Sequence, residues 1–135
     1  MCGIVGIIRG DKSSAEDTNS LMMQMLHCST LRGFHGTGVA RINADGAVYG
    51  FKKAMAAPDY LQLSQTHKLF NNEQDKTWAY IGHNRQATHG DRVDMHSHPF
   101  LIGNITLVHN GMVNMHNAIV PKAPFFQVDS EAVTN

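Results

Sequence analysis

The sequence predicts an α+β fold, with segments of strand character and hairpins alternating with helical segments. The chain begins with the short, β-branched, apolar segment Cys2–Arg9, which is typical of a buried strand. A helix-start pattern comes next. Further along, Asn43-Ala44-Asp45-Gly46 separates two apolar runs, and this turn predicts a β-hairpin.

The first helix and the hairpin are defined by local patterns. Ser13 with Glu16 three residues later matches a capping box, and the helix is expected to run to about Leu31. The hairpin strands are expected at Val39–Ile42 and Ala47–Lys52. The residues expected on the buried face of the helix are Leu21, Met22, Met25 and Leu26.

The second half of the chain predicts shorter elements. Pro58 can begin a second helix, since proline is favoured in the first helical turn. Strands are expected at Trp78–Ile81 and Ile105–His109, with a histidine-rich polar loop, Gly90–Pro99, between them. Asp129 or Ser130 resembles an N-cap and predicts one more helix start.

Composition excludes several classes of protein. The 135 residues suit one domain, and 11 basic against 11 acidic residues disfavour nucleic-acid binding driven by net charge. No apolar run approaches the roughly 18 residues that cross a bilayer, and the N-terminus lacks the basic leader of a signal peptide. Two cysteines cannot build a disulfide framework, so the cytoplasm is the expected compartment.

Cys2 is the first candidate for chemistry. Removal of Met1 would leave it as the first residue, where its own α-amine can act as base for its thiol. The alternative is a small buried hydrophobic residue at a strand start, which position alone favours. Cys28 lies within the predicted helix and is interpreted as structural.

Two further motifs follow predicted strands. In Gly82–Gly90, Arg85 is suited to clamp a carboxylate, and Thr88 and His89 can add neutral donors. After the last predicted strand, the Asn110 amide and the Gly111 N–H can converge on one oxygen, as an oxyanion hole requires. Taken alone, each motif has an ordinary alternative: a solvated loop for the first, a plain Asn-Gly turn for the second.

The histidines do not make a convincing metal site. His96 and His98 lie on one side of an extended segment, but no cysteine or carboxylate stands at a suitable ligand spacing nearby. We therefore predict no metal and no cofactor.

The motifs become specific through their order. MCGIVGI is followed by RGFHGTG, GHNRQATHG, HSHPF, VHNG and VDSEAV. This succession, which spans Cys2 to Val133, resembles the glutaminase domain of class II glutamine amidotransferases. The nearest subgroup is the one in glutamine–fructose-6-phosphate aminotransferase. The resemblance implies an N-terminal nucleophile hydrolase fold, an αββα sandwich of two antiparallel sheets, with residues 1–135 as one glutaminase domain.

The resemblance also implies roles for single residues. Cys2 matches the nucleophile that forms a γ-glutamyl thioester and releases ammonia, and Asn110 with Gly111 matches the oxyanion hole. Arg85 matches the group that binds the α-carboxylate of glutamine. Thr88, His89 and Gly111 match further substrate-binding residues, and Asp129 matches the carboxylate that holds the α-amine.

Two positions depart from the family pattern. Gln86 stands where the nearest subgroup usually has tryptophan, in a loop that closes over glutamine. His35 stands where the RG-x-D pattern has aspartate, so a supporting interaction is in question there. The resemblance therefore implies a competent active site with altered control.

Other functions stay open at this point. An N-terminal cysteine acylase would share the nucleophile but would not need paired clamps for an amino acid. A non-catalytic glutamine-binding module and a histidine-rich metal binder are non-enzymatic alternatives. The family passes ammonia to a separate synthase domain or subunit, and its glutaminase domains are longer than this chain, so we expect a partial domain that lacks the C-terminal elements.

Overall fold

The computed structural model describes residues 1–71, 76–88 and 90–113 of the chain. The predicted α+β class is confirmed, and both sheets are antiparallel. The helix start predicted at Asp129 or Ser130 lies outside the described residues. In chain order the elements are β1 (Gly3–Ile8), α1 (Ala15–Cys28), a 3₁₀ turn (Ser29–Arg32), β2 (Gly36–Asn43), β3 (Val48–Lys53), α2 (Ala57–Tyr60), α3 (Ser64–Asn71), β4 (Thr77–Arg85), a second 3₁₀ turn (Asp94–His96), β5 (Phe100–Ile102) and β6 (Ile105–Leu107).

The main sheet has four strands in the order β1-β4-β2-β3. β4 lies between β1 and β2. At the C-terminal end of β4, Asn84 pairs with Gly3 of β1 and Arg85 pairs with Gly36 of β2. Because β4 runs antiparallel to both neighbours, its last residues lie between the first residues of β1 and β2. This register places the N-terminus of the chain beside Arg85.

One face of the main sheet packs against the helices. Met22 and Leu26 of α1 are fully buried and lie in one cluster with Tyr80 of β4. The Tyr80 hydroxyl donates to the side-chain oxygen of Asn19 at 2.7 Å, and the Asn19 amide donates to the carbonyl of Phe70 at 2.7 Å. Asn19 thus pairs with both Tyr80 and Phe70 within the core, which avoids the cost of burying its amide unsatisfied.

The opposite face carries the segment that leads into β5. A side chain at Gly38 would collide with the carbonyl oxygen of His98, and one at Gly50 would collide with the side chain of Leu101. These two glycines allow the segment 98–101 to lie directly on β2 and β3. The main sheet is therefore covered on both faces over part of its area.

Several predicted elements are confirmed with shifted bounds. The hairpin forms around the predicted turn, with Gly46 at a φ of 84°. The segment begun by Pro58 divides into α2 and α3, so one predicted helix becomes two short ones. β4 extends to Arg85, four residues beyond the predicted end at Ile81. Leu21, expected on the buried face of the first helix, is 47% exposed.

The prediction of a buried first strand is wrong. β1 is at the edge of the main sheet, and its outward-facing Ile4 and Ile8 are 48% and 68% exposed within the described structure. Only the alternate residues, Val5 and Ile7, pack against the helical core. None of the helices in the described residues is long and apolar enough to span a membrane.

The cap of α1 lies one residue later than predicted. Ser14, not Ser13, is the N-cap, and its hydroxyl oxygen accepts the backbone N–H of Asp17 at 2.9 Å. We expect Ser14→Ala to lower the free energy of unfolding by about 1 kcal/mol, because an N–H of the first turn loses its partner. Urea denaturation checks this, with Ser13→Ala as the matched control. Equal losses for both variants would contradict the assignment of the cap.

Candidate functional site

The candidate site lies where three strand ends meet. Cys2 immediately precedes β1, Arg85 ends β4, and Gly36 begins β2. The pairing of Gly3 with Asn84 puts Cys2 next to Arg85, although 82 residues separate them in the chain. The sheet register alone thus brings the predicted nucleophile to the predicted carboxylate clamp.

Cys2 is held by contacts from three separate segments. The backbone N–H of Gln86 donates to the Cys2 sulfur at 3.3 Å. The carbonyl oxygen of Cys2 accepts from the Arg32 side chain at 3.1 Å and from the Asn110 side-chain amide at 3.0 Å. The thiol is partly exposed. A nucleophile needs this combination of a fixed backbone and an accessible sulfur.

Arg85 is a buried cation beside the thiol. Its side chain is 4% exposed and donates to the backbone carbonyl of Asp91 at 2.8 Å. Burial lowers the pKa of Arg85, with Cys2 opposing this change and Arg92 adding to it. An arginine remains charged at neutral pH despite such a change, so the site contains a fixed positive charge.

The segment Arg32–His35 packs closely against the end of β4. Gly33 has an extended backbone with φ of −173°, yet a Cβ there would lie 2.6 Å from the carbonyl carbon of Arg85. Beyond Gly33, the N–H of His35 donates to the carbonyl of Arg85 at 2.9 Å. The His35 Nδ1 accepts the N–H of Ala87 at 3.0 Å. His35 therefore supplies a supporting interaction at the position where the family pattern has aspartate.

Behind the site lies a buried pair of histidines. His83 is fully buried, and its Nε2 lies 2.9 Å from the carbonyl oxygen of His109. Because a carbonyl can only accept, Nε2 must carry the proton. The ring of His98 packs against that of His83 with centroids 4.1 Å apart. Burial is the largest cause that lowers the pKa of His83 to about 4, and it lowers that of His98 strongly as well, so both rings are neutral.

His83 supports the turn that carries Asn110. The bond from His83 fixes the carbonyl of His109, the residue directly before Asn110. Gly111 comes next, and a Cβ at that position would lie 2.9 Å from the His109 ring nitrogen Nε2. The close contact leaves no room for a larger residue unless the His109 ring moves.

The structure brings together some of the predicted site residues. Cys2, Arg85 and Asn110 lie together where the ends of β1 and β4 meet, and Gly111 directly follows Asn110 in the chain. Thr88 is exposed in the loop after β4. His89 and Asp129 lie outside the described residues. Within residues 1–71, 76–88 and 90–113, no group of three or more histidine, cysteine or acidic side chains is arranged to hold a metal ion.

Sequence reasoning missed three contributors to this site. Arg32 reaches the Cys2 carbonyl, Gly33 allows the close approach to β4, and His83 supports the Asn110 turn. For Arg32 and Gly33 the signal was present in the glycine-rich block RGFHGTG, because closely spaced glycines mark close backbone approaches. His83 carried no such signal.

Comparison with curated proteins matches 88% of the chain. The chain is 28% identical over 119 residues to a protein of Pectobacterium atrosepticum and 33% identical over 123 residues to one of Sulfurisphaera tokodaii. A protein of Escherichia coli K12 is 28% identical over 119 residues. All three are named glutamine–fructose-6-phosphate aminotransferase (isomerizing).

The curated homologues of this chain are glutamine–fructose-6-phosphate aminotransferases. The resemblance inferred from the ordered motifs is therefore confirmed, and it is a resemblance to an enzyme. The chain spans only 18–19% of the length of these aminotransferases. No family model matches the chain.

Proposed function

We propose that residues 1–135 form a glutamine amidotransferase (glutaminase) domain that hydrolyses the γ-amide of glutamine and releases ammonia for transfer to an acceptor. The observation that carries the proposal is that Cys2, Arg85 and Asn110 lie close together where the ends of β1 and β4 meet. A thiol, a fixed cation and a side-chain amide are the groups that amide hydrolysis of an amino acid needs.

The proposed reaction begins at the sulfur of Cys2. Met1 is 82% exposed, which suits its removal by an aminopeptidase, and the freed α-amine then takes the thiol proton. The sulfur attacks the γ-carbonyl carbon, and the C–N bond breaks as the nitrogen receives a proton and leaves as ammonia. Water then hydrolyses the resulting thioester, which gives glutamate and restores the thiol.

The oxyanion of each tetrahedral intermediate needs donors close to the sulfur. Asn110 is the proposed source, together with the N–H of Gly111. The Asn110 amide already donates one hydrogen to the Cys2 carbonyl at 3.0 Å, which fixes the amide beside the nucleophile. An amide carries two hydrogens, so this bond is compatible with a second one to the oxyanion.

Binding of glutamine needs groups for both of its charges. We propose that Arg85 binds the α-carboxylate, helped by Thr88, which lies in the loop after β4, and by His89. The planar fork of Arg85 N–H donors matches the geometry of a carboxylate, and the bond to the Asp91 carbonyl holds this side chain in the loop. Asp129 is the proposed partner of the α-amine, because a zwitterion calls for one anionic group opposite the cationic one.

We also propose that the main sheet is one of the two sheets of an N-terminal nucleophile hydrolase sandwich. The helices pack on one face of it, and the segment 98–101 with the β5–β6 hairpin lies toward the other. This layering supports an αββα arrangement. The outward Ile4 and Ile8 also suit a further layer on that face.

The acceptor is proposed from the names of the relatives. These names specify an aminotransferase that uses glutamine and fructose 6-phosphate, so we propose an ammonia-accepting synthase domain or subunit as partner and a sugar phosphate as acceptor class.

Cys2 and Cys28 are both free thiols, which supports a reducing cytoplasm as the compartment.

The proposal is tested with the protein after removal of Met1. We expect it to release glutamate and ammonia from glutamine in equal amounts. Diazo-norleucine, a glutamine analogue, is expected to label Cys2 and leave the exposed Cys28 unmodified, as peptide mass spectrometry would show. Glutamine binding by calorimetry without hydrolysis would instead favour a non-catalytic binding module, and labelling of Cys28 would contradict the assigned nucleophile.

A further inference from the structure

His35 makes two hydrogen bonds to the backbone on either side of Gln86, whose N–H faces the nucleophile. The peptide between Arg85 and Gln86 directs its N–H at the Cys2 sulfur, at 3.3 Å. Its carbonyl oxygen, on the Arg85 side, accepts the backbone N–H of His35 at 2.9 Å. The next N–H, that of Ala87, donates to the His35 Nδ1 at 3.0 Å. One residue thus fixes the peptide at its carbonyl end and just beyond Gln86.

We propose that His35 is a positioning residue, whose unprotonated Nδ1 holds the Gln86–Ala87 backbone so that the Gln86 N–H stays directed at the Cys2 sulfur. The inference rests on the proposed function of Cys2 as nucleophile. The acceptor in this chain is an imidazole nitrogen, so the contact depends on the protonation state of the ring.

The hydrogen bond from the His35 N–H to the Arg85 carbonyl is cooperative with the hydrogen bond from the Gln86 N–H to the Cys2 sulfur, because both involve the same peptide group. An amide whose carbonyl accepts a hydrogen bond becomes a stronger donor at its N–H, and the His35 N–H supplies that bond. The Nδ1 contact prevents rotation of the chain after Gln86. Without it, the Ala87 N–H loses its acceptor and the backbone that carries the Gln86 N–H is less restrained.

The acceptor role sets a requirement on protonation. An imidazolium carries a hydrogen on both ring nitrogens. If His35 were protonated, Nδ1 would therefore be a donor that faces the Ala87 N–H, which is also a donor, and the hydrogen bond would be lost. Burial, then Arg92, then Arg85 lower the pKa of His35, which favours the neutral ring. The two arginines are the charged groups that act on this ring from the β4 end and the following loop. Acidification is therefore expected to release the peptide from its position.

The test measures alkylation of Cys2 by iodoacetamide as a function of pH, with the exposed Cys28 of the same molecule as internal reference. In the wild-type protein the ratio of the Cys2 rate to the Cys28 rate is expected to fall on acidification. His35→Asn places an oxygen near the position of Nδ1 but does not titrate, so its ratio should not fall at the wild-type midpoint. His35→Ala should show a ratio about tenfold lower at pH 8.

The controls separate positioning from folding. His67→Asn, at an exposed histidine in α3, should leave the ratio and its pH dependence unchanged. His83 and His98 are present in every variant, so any acid destabilisation that they cause is common to all. If His35→Ala does not fold, as shown by circular dichroism, the comparison of His35→Asn with the wild type carries the test.

Two results would overturn the inference: a wild-type ratio for His35→Ala at pH 8, or a fall in the His35→Asn ratio at the wild-type midpoint. The kcat for glutamine is measured in parallel and should be about tenfold lower in His35→Ala and restored in His35→Asn. If the wild-type protein does not hydrolyse glutamine, the proposed function fails, whereas the alkylation ratio still decides the role of His35.

Discussion

Replacement of Cys2 by alanine is expected to reduce glutamine hydrolysis by about 10⁴-fold or more, because the covalent route through the thioester is lost. The remaining groups would act only on a water molecule. The measurement is glutamate release by the protein from which Met1 has been removed. Folding should be preserved, since the Cys2 carbonyl, which accepts from Arg32 and Asn110, is a backbone group that alanine retains.

Two comparisons make the loss specific to the nucleophile. Cys28→Ala removes the other thiol, which is exposed at the end of α1, and should leave activity unchanged. An N-terminal extension that cannot be trimmed should inactivate the protein while it leaves the thiol in place, because it converts the proposed base into an amide. Full activity of either the Cys2→Ala or the extended protein would exclude the N-terminal thiol mechanism.

Local patterns in the sequence predicted those elements that local interactions determine. The hairpin forms where Asn43–Gly46 predicts it, since the turn residues themselves fix the backbone and Gly46 supplies the positive φ. The start of α1 was placed one residue early. Ser13 and Ser14 are each followed three residues later by an acidic residue, so the pattern does not decide between them.

The burial of the site was not predictable from local pattern. His83 and Arg85 are polar residues that resemble a loop in sequence, yet both lie in the central strand. They are buried because β1 and β2 pair with β4 on both sides and the segment around His98 covers the face. Such contacts depend on residues far away in the chain, and a single sequence does not show them.

The location of Cys2, Arg85 and Asn110 was predicted for a different reason. Each lies at or near a strand end in the predicted pattern, and the ordered motifs indicated that they belong to one site. The structure adds the contacts that hold them: Gln86 on the sulfur, and Arg32 on the Cys2 carbonyl. Each contact has a backbone atom on one side, the Gln86 N–H in the first and the Cys2 carbonyl in the second, and the identity of that residue carries no information about the contact.

Replacement of Arg85 by glutamine is expected to lower kcat/KM for glutamine by about 100-fold, mainly through a higher KM. The reason is the loss of a charge-assisted bidentate contact to the α-carboxylate, an interaction worth about 3 kcal/mol in a buried site. Steady-state kinetics of glutamate release measure the change. Thermal denaturation run in parallel shows whether loss of the bond to the Asp91 carbonyl also affects the fold.

The matched control is Arg92→Gln, which removes an exposed cation that acts on Arg85 through its charge. Its effect on KM should be small, since exposed charges are screened by solvent.

An amide substrate that lacks the α-carboxylate separates the contribution of Arg85 to substrate binding from the chemical steps at Cys2. Its hydrolysis should be slow and equal in the wild type and Arg85→Gln, because it never contacts the guanidinium. If wild-type protein instead cleaves a simple acyl amide faster than glutamine, and Arg85→Gln changes neither rate, then the site is that of an N-terminal cysteine acylase and Arg85 serves only to hold the loop at Asp91.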